Sequence, residues 1–393
     1  MSLLSRLPLQ GDDPILALMG LFRDDPREGK IDLGVGVYRD AEGRTPVMGA
    51  VTAAERRILE RQATKGYTGL AGDPGFTDAM RALILGGAVD PARVAAVATP
   101  GGTGAVRQGM EAARMAGGAR VWLPDPTWPN HAAILGHVGL EGRRYRYHDA
   151  ATGGVAFEAM LADLGETGAG DLVVLHGCCH NPTGADPTGP QWDAVAAVLA
   201  GTGATPLVDL AYQGFGEGVE ADVAGLRRLV ARVPEAMVAA SGSKSFGLYR
   251  ERVGVLLAVS DDRGGRVQGA LATLNRLAYS FPPDHGARVV ETILRDDGLR
   301  GDWLAELDAM RGRIEGVRRL LADALRERTG SDRLGFLAGH RGMFSRLPAT
   351  PEHVEALRRD HAVYLVGDGR MNVAGLDAAA VPRLADAVAA VGV

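Results

Sequence analysis

The sequence predicts an α/β fold: a mostly parallel sheet covered by helices, with a smaller α+β unit attached. Two observations carry this expectation. Short apolar runs alternate with helical patterns through the middle of the chain, the pattern of parallel strands joined by crossover helices. After about Gly301 the pattern changes to one long amphipathic helix followed by short mixed elements.

Taken in order, ARVWLPDP from Ala119, DLVVLHGCC from Asp171, ATPLVDLAY from Ala204, EAMVAASGS from Glu235 and RVGVLLAVS from Arg252 read as buried strands. Gly, Pro, Asp or Ser bounds each of them, and their apolar runs suit strands covered on both faces. PQWDAVAAVLAG from Pro190 reads as a helix between two of the strands. DWLAELDAMRGRIEGVRRLLADALRERTG reads as an amphipathic helix closed by Gly330. LGFLAGHRGMFSRL then reads as strand, PEHVEALRRDH as helix, AVYLV as strand, and an Ala-rich helix ends the sequence. The segment before Thr45 is too short to fold alone and is expected to pack with the C-terminal unit.

Bulk properties narrow the function classes. A length of 393 residues exceeds what one compact core usually holds, so two domains are expected. Hydrophobic residues at 46% and charged residues at 23% are ordinary for a soluble globular protein. A net charge of −5 argues against a nucleic-acid surface. No uncharged apolar run approaches the roughly 20 residues of a membrane span. MSLLSRLPLQGDDP reaches Asp12 and Asp13 before any long apolar segment forms, unlike a signal peptide. Cys178 and Cys179 are adjacent and cannot staple the fold, which fits a cytoplasmic location.

In an open α/β sheet, ligands sit outside the carboxyl ends of the strands. Trp128, Asn181, Asp209, Tyr212 and Lys244 all fall at such ends. In SGSKSFGLYRER, Lys244 stands among small residues where a buried strand stops; it reads as a solvated loop lysine or as a catalytic amine. TPGGTGAVRQGMEAARM is a Gly-rich turn running into a helix, where free N–H groups and the helix dipole suit a phosphate. Taken alone it is also an ordinary turn, and it is neither a Walker A loop nor a clean G-x-G-x-x-G. Asp209 in DLAYQGF can hold a protonated ring nitrogen, with Tyr212 donating to a phenolic oxygen; the plain alternative is a helix cap and a half-buried tyrosine. In HGCCHNPTG, adjacent cysteines lack the C-x₂₋₄-C spacing of a zinc site, so no metal is expected, and NPTG reads as a turn presenting Asn181. Trp128 in DPTWPNH can stack on a flat ring or rim the core. Arg252, Arg276 and Arg370 lie in Gly/Pro-punctuated segments, and guanidinium groups grip carboxylates and phosphates with paired hydrogen bonds.

Together these segments resemble the fold-type I pyridoxal-phosphate aminotransferases, in particular the aspartate/aromatic amino acid group, subgroup Iα. The resemblance runs from LGVGVYRD at Leu33 to GRMNVAGL at Gly369; HGCCHNPTG, AYQGF, SKSFGLYRERVG and GRMNVAG recur in order. With it, the expected fold is a large domain over 46–310 with a mostly parallel seven-stranded sheet. A smaller α+β domain would be formed by the terminal segments, 1–45 and 311–393.

The resemblance also implies roles. Lys244 would form the Schiff base with pyridoxal 5'-phosphate and later move the proton at the substrate α-carbon. Asp209 would pair with the ring nitrogen, Asn181 and Tyr212 would hydrogen-bond the ring oxygen, and Trp128 would stack on the ring. Gly102, Thr103, Ser241, Ser243 and Arg252 would hold the phosphate, with Tyr67 reaching it from the partner subunit of a homodimer. Arg370 would clamp the substrate α-carboxylate. Arg276, also from the partner, would bind a distal carboxylate, and Gly36 would lie near the substrate on a segment that moves on closure.

The expected activity is transfer of an amino group between aspartate or aromatic amino acids (Phe, Tyr, Trp) and 2-oxoglutarate by a ping-pong mechanism. The alternative on the same fold is a lyase catalysing β-elimination or decarboxylation. A nicotinamide-binding enzyme leaves Lys244, Asp209 and Arg370 without roles, and the intact set of those residues argues against a non-catalytic binding protein. The sequence departs from the aspartate-type pattern at Phe281, where a small or polar residue is common after AYS, and in MFSRLPAT. An aromatic side chain there would favour aromatic donors or pack at the interface.

Overall fold

The computed structural model describes residues 2–9, 11, 14–262 and 265–393. Asp12 and Asp13 of the N-terminal run lie outside the described residues. In chain order the strands are β1 (Ile31–Asp32), β2 (Val94–Pro100), β3 (Arg120–Asp125), β4 (Glu141–Arg146), β5 (Leu172–His176), β6 (Thr205–Leu210), β7 (Ala236–Ser241), β8 (Val253–Val259), β9 (Phe344–Arg346), β10 (Val363–Tyr364) and β11 (Arg370–Asn372).

Seven of them form one sheet in the order β2-β8-β7-β6-β5-β3-β4. The five apolar runs read from the sequence are β3, β5, β6, β7 and β8. Two strands went unread. β2 is the Ala-rich VAAVATP, whose composition carries little strand preference. β4 is EGRRYR, a charged and mostly exposed edge strand with no apolar run to betray it.

Only β8 runs antiparallel to its neighbours β2 and β7. The start of β8 therefore lies at the same sheet edge as the ends of the parallel strands. Ser241 at the end of β7 pairs with Gly254, and Pro100 at the end of β2 pairs with Val253. That register places Arg252 beside the Gly-rich turn and the lysine loop. At the middle of the edge, His176 of β5 pairs with Asp209 of β6 in a parallel ladder, so both side chains share one face.

The helix Asp297–Thr329 ends at Gly330 in the left-handed conformation, as its sequence predicts. It begins five residues before Asp302 and anchors the lysine loop. Trp303 is 1% exposed, stacks on Phe246 at 4.6 Å, and donates from its indole N–H to the Ser245 carbonyl at 2.7 Å. Ser245 in turn donates to the Gln213 carbonyl at 2.7 Å. The loops carrying Lys244 and Tyr212 are thus tied to each other and to a helix.

The N-terminal segment packs against the C-terminal one. β1 pairs in parallel with β10, the Asn372 side chain donates to the carbonyls of Val35 and Val37, and Arg370 donates to the Gly34 carbonyl at 3.1 Å. The reading of LGFLAGHRGMFSRL as a strand needs correction. Its first half is a 3-10 turn, Gly335–Ala338, and only Phe344–Arg346 is strand, paired with β11. The apolar residues of this run point into the core from a turn rather than alternating along a strand, because glycines at 335, 339 and 342 interrupt it.

Candidate active site

A cavity of ≈ 200 Å³ opens at the carboxyl edge of the large sheet. Of the residues singled out in the sequence, Gly36, Gly102, Thr103, Trp128, Asn181, Asp209, Tyr212, Ser241, Ser243, Lys244 and Arg252 line it. They arrive from several strand ends, loops and the start of one helix, so the sheet edge gathers what the sequence scatters over more than two hundred positions.

One wall is built around the first turn of the helix Gly101–Met115. The first N–H groups of a helix have no acceptor within it, and they face outward with the positive end of the helix dipole. Gly101 has φ +73° and its N–H donates to the Arg252 carbonyl at 2.9 Å, locking the turn onto the start of β8. A Cβ at Gly102 would sit 2.9 Å from the Ser241 Cβ, so only glycine lets the two walls close. The Ser243 N–H donates to the Ser241 hydroxyl at 3.2 Å, and Arg252 has no carboxylate partner among the described residues. Hydroxyls, helix N–H groups and the Arg252 guanidinium, which donates to the Tyr249 carbonyl at 2.9 Å, converge here, a donor set suited to a phosphate dianion.

The opposite wall is a buried hydrogen-bond chain. The Asn181 N–H donates to His176 Nδ1 at 3.1 Å, which fixes that nitrogen as an acceptor. Burial, with the neighbouring His131, pushes the His176 pKa down to about 3, so the ring is neutral and its proton sits on Nε2. Nε2 faces the Thr127 hydroxyl at 3.4 Å, the hydroxyl donates to His131 Nδ1 at 2.7 Å, and His131 Nε2 donates to Asp209 Oδ2 at 3.0 Å. His176 also stacks on His180 at 4.1 Å, and His180 on Tyr147 at 3.9 Å, which braces the chain from behind.

Burial pushes the Asp209 carboxyl up, but the His131 hydrogen bond and the nearby His131, His176 and Lys244 outweigh it. The carboxyl stays below its ordinary value and is charged at neutral pH. Lys244 shifts the other way for an amine: burial lowers its pKa, Asp209 opposes this, and Arg252 and Arg370 add to the lowering. Its ammonium lies 5.0 Å from the centre of the Tyr212 ring. Burial, followed by Asp209, raises the Tyr212 phenol, so it remains a proton donor. The Asn181 amide donates to the Tyr212 hydroxyl at 3.4 Å, while its own oxygen is buried without a partner.

Arg370 stands just behind the lining. Its guanidinium lies over the Phe344 ring at 4.9 Å, and its Nε is buried without a partner. Burial lowers its pKa, while Tyr212 and Asp368 oppose the shift. A Cβ at Gly36 would meet Phe344 at 3.0 Å, so the segment at 36 passes close to the same ring. Tyr67 and Arg276 are elsewhere, on an exposed surface around Phe281.

The sequence reading missed His131, His176, Thr127, Cys178 and Tyr249 as site residues. The signal was present for most of them: both histidines fall inside quoted motifs, DPTWPNH and HGCCHNPTG. His131, His176 and Asp209 stand close enough together to hold a metal ion, as do Cys178, Cys179 and Asp222. In both groups the carboxylate already accepts hydrogen bonds, from His131 in one and from Gly214, Gly216 and Glu217 N–H groups in the other.

The chain is similar to known proteins along nearly its whole length. The family model for class I and II aminotransferases matches residues 28–388. The aromatic-amino-acid aminotransferase of Paracoccus denitrificans is 56% identical over 394 residues, covering 100% of both chains. The aspartate aminotransferase of Escherichia coli strain K12 is 44% identical over 385 residues, covering 96% of this chain and 97% of the other. A solved aromatic amino acid aminotransferase with 3-indolebutyric acid superposes with a TM-score of 0.97 at 56% identity, covering 100% of both chains. The Burkholderia pseudomallei aromatic-amino-acid aminotransferase, covalently bound to pyridoxal phosphate, superposes at 0.96 with 40% identity, again over 100% of both. A phosphate cradle, a charged carboxylate, and a lysine with a depressed pKa share one cavity, and the match extends along nearly the whole chain: this protein belongs to the class I and II aminotransferases and is a pyridoxal-phosphate-dependent transaminase.

Proposed function

We propose that the enzyme exchanges amino groups between aspartate or aromatic amino acids and 2-oxoglutarate, working as a cytoplasmic homodimer by a ping-pong cycle. The observation that carries the proposal is the grouping of Asp209, Arg252 and Arg370 around Lys244, with neither arginine in an ion pair with a carboxylate among the described residues. Substrates of this kind bring carboxylates, and the cofactor brings a phosphate.

The residues fit pyridoxal phosphate. Gly102, Thr103, Ser241, Ser243 and Arg252 would hold its phosphate, with Tyr67 added from the partner subunit. Asp209 would keep the ring nitrogen protonated, Asn181 and Tyr212 would bond the ring oxygen, and Trp128 would cover the ring. The Asn181 amide spends one of its two N–H groups on the Tyr212 hydroxyl, which leaves the other to donate to a ring oxygen. When bound, the cofactor supplies an aldehyde that captures amines and a protonated ring that withdraws electrons from the substrate α-carbon.

The chain's own residues do the rest. Arg370 binds the α-carboxylate and orients the α-carbon hydrogen. Lys244 Nζ, whose pKa is lowered by burial and by the flanking guanidiniums, would be the amine that takes that proton. The His176–Thr127–His131 chain keeps Asp209 charged and fixed. Arg276 of each subunit would pair with a distal carboxylate in the other's site.

The chain is proposed to divide into a large domain at 46–310 and a small one at 1–45 with 311–393. That boundary falls inside the continuous helix Asp297–Thr329, which would carry motion between the two. No helix among the described residues is long and apolar enough to cross a membrane. The test is to supply aspartate, phenylalanine or tyrosine with 2-oxoglutarate and measure kcat/KM for each. Glutamate formed in step with the donor's oxo acid supports transfer; ammonia released without glutamate supports β-elimination, and carbon dioxide with the donor's amine supports decarboxylation.

A further inference from the structure

The proposed cycle gives no task to Arg318. This arginine projects from the helix Asp297–Thr329, is 1% exposed, and forms no ion pair with a carboxylate among the described residues. Burial pushes its pKa down to about 10, so the guanidinium stays charged at neutral pH. A buried charge is costly unless hydrogen bonds replace the lost water. Here most of them come from one short stretch of chain. Nη1 donates to the Ser345 hydroxyl at 2.6 Å and to the Leu337 carbonyl at 3.4 Å. Nη2 donates to the carbonyls of Gly342 and Phe344, both at 2.7 Å, and of Arg341 at 3.4 Å. Ser345 extends the network. Its hydroxyl donates to His340 Nδ1 at 3.0 Å, and His340 Nε2 donates to the Gly153 carbonyl at 2.8 Å. A carbonyl only accepts, so the His340 proton must sit on Nε2.

The stretch held in this way reaches the site by three routes. Its strand β9 pairs with β11, which places Arg346 opposite Arg370 and Phe344 opposite Asn372. The Phe344 ring lies under the Arg370 guanidinium at 4.9 Å and edge-on to the Tyr212 ring at 6.0 Å. The Arg341 N–H donates to the Gly184 carbonyl at 2.8 Å and the Gly342 N–H to the Phe215 carbonyl at 3.2 Å, which seats the stretch on the loops of Asn181 and Tyr212. From this geometry we infer that Arg318 is a positioning residue, which through β9 and the Phe344 ring sets the place and direction of Arg370. The inference rests on the reading of Arg370 as the clamp for the substrate α-carboxylate. Paired hydrogen bonds to a carboxylate tolerate little misplacement. Arg370 has few anchors of its own: its guanidinium donates to the Gly34 carbonyl at 3.1 Å, and its Nε is buried without a partner. Its direction therefore depends on the ring beneath it. Every amino and oxo acid substrate carries the same carboxylate, so Arg318 acts equally on all of them.

The test uses the holoenzyme and the variants Arg318→Lys, Ser345→Ala and Arg370→Lys. Lysine keeps the buried charge but loses the planar fork that spans these acceptors. In Arg318→Lys, KM for aspartate and KM for phenylalanine should rise by the same factor, about tenfold, and by more than kcat falls. Tenfold corresponds to about 1.4 kcal/mol, part of the worth of one hydrogen bond to a charged group. Calorimetry with 3-phenylpropionate and with succinate should show both acids weakened by a similar factor. Ser345→Ala should move KM in the same direction by about threefold, and it decides alone if Arg318→Lys does not fold. Parent KM values and parent acid binding in folded Arg318→Lys, even with a lowered unfolding temperature, overturn the inference, because a merely structural arginine predicts that result. A change confined to one donor overturns it too. Arg370→Lys separates the inference from the underlying reading. If it raises KM for both donors while Arg318→Lys leaves them alone, only the positioning role is wrong. If it leaves both KM values at the parent level, Arg370 is not the clamp, and the positioning role falls with it.

Discussion

The cavity at the sheet edge and the Tyr67–Phe281–Arg276 surface differ in what a single chain supplies. At the cavity, Asp209, Lys244 and their supporting histidines are enclosed by the chain's own loops, and their protonation is set by burial and by one another. At the surface of the single chain, Arg276 donates to Ser280 and Phe281 stacks on the exposed ring of Tyr67. The contrast separates two tasks. Proton chemistry needs groups whose pKa values are displaced, and displacement requires a low-dielectric enclosure. The proposed donor contact at Arg276 draws on groups that a single chain leaves exposed.

The sharpest break between the regions is Lys244→Ala. It removes the only side-chain amine among the described residues that line the cavity, so transamination should fall by about 10⁴-fold or more, the upper range for a general base, and the long-wavelength absorbance of bound cofactor should shift. Parent-rate turnover by this variant would sink the assignment. Asp209→Ala comes next. It strips the charge held by His131, and kcat should fall by about 10²–10³-fold, as for loss of one preorganised electrostatic contact, with cofactor affinity weakened too. Steady-state rates and cofactor titration check both effects.

On the surface side, Arg276→Leu should lower kcat/KM for aspartate about a hundredfold relative to phenylalanine, because only the dicarboxylate loses its charge partner. Returning to the cavity, His176→Gln should flatten the acid side of the stability profile. The folded ring has a pKa near 3 and the unfolded one 6.5, so the unfolded state binds the extra proton between those values. Stability due to His176 is present above pH 6.5 and is lost as pH falls toward 3, by about 1.4 kcal/mol per pH unit. Urea midpoints between pH 7 and 4 should therefore drop faster in the parent than in the variant. The smallest effect is expected from Tyr67→Phe, which removes one phenolic hydrogen bond. Cofactor affinity should weaken about tenfold, with little change in the donor ratio. A variant that changed the ratio and left cofactor binding intact would move Tyr67 from the phosphate to the substrate.

Much of the fold was legible in the chain. β3, β5, β6, β7 and β8 announce themselves as apolar runs because both of their faces are covered, and the helix Asp297–Thr329 announces itself by its amphipathic stripe and its terminal glycine. β2 and β4 do not. β2 is built from alanines that suit a helix equally well, and β4 lies at an edge where water replaces the apolar neighbours that would have left a mark in its composition. The strand expected over LGFLAGHRGMFSRL failed for a related reason: apolar content was visible, but its glycines turn the chain before a ladder can extend.

The site divides along the same line. The sequence by itself determined which chemical groups are present and, through HGCCHNPTG, SKSFGLYRERVG and their fellow motifs, which cofactor they suit. Residue types and local turns are local properties, written in a few adjacent positions. Only the tertiary structure decided that His131, Thr127 and His176 form one chain ending on Asp209, that Lys244 loses its ordinary basicity, and that Arg276 rests beside Phe281. Those facts depend on distances between residues remote in sequence and on the exclusion of water around them, and neither exists until the sheet edge has closed.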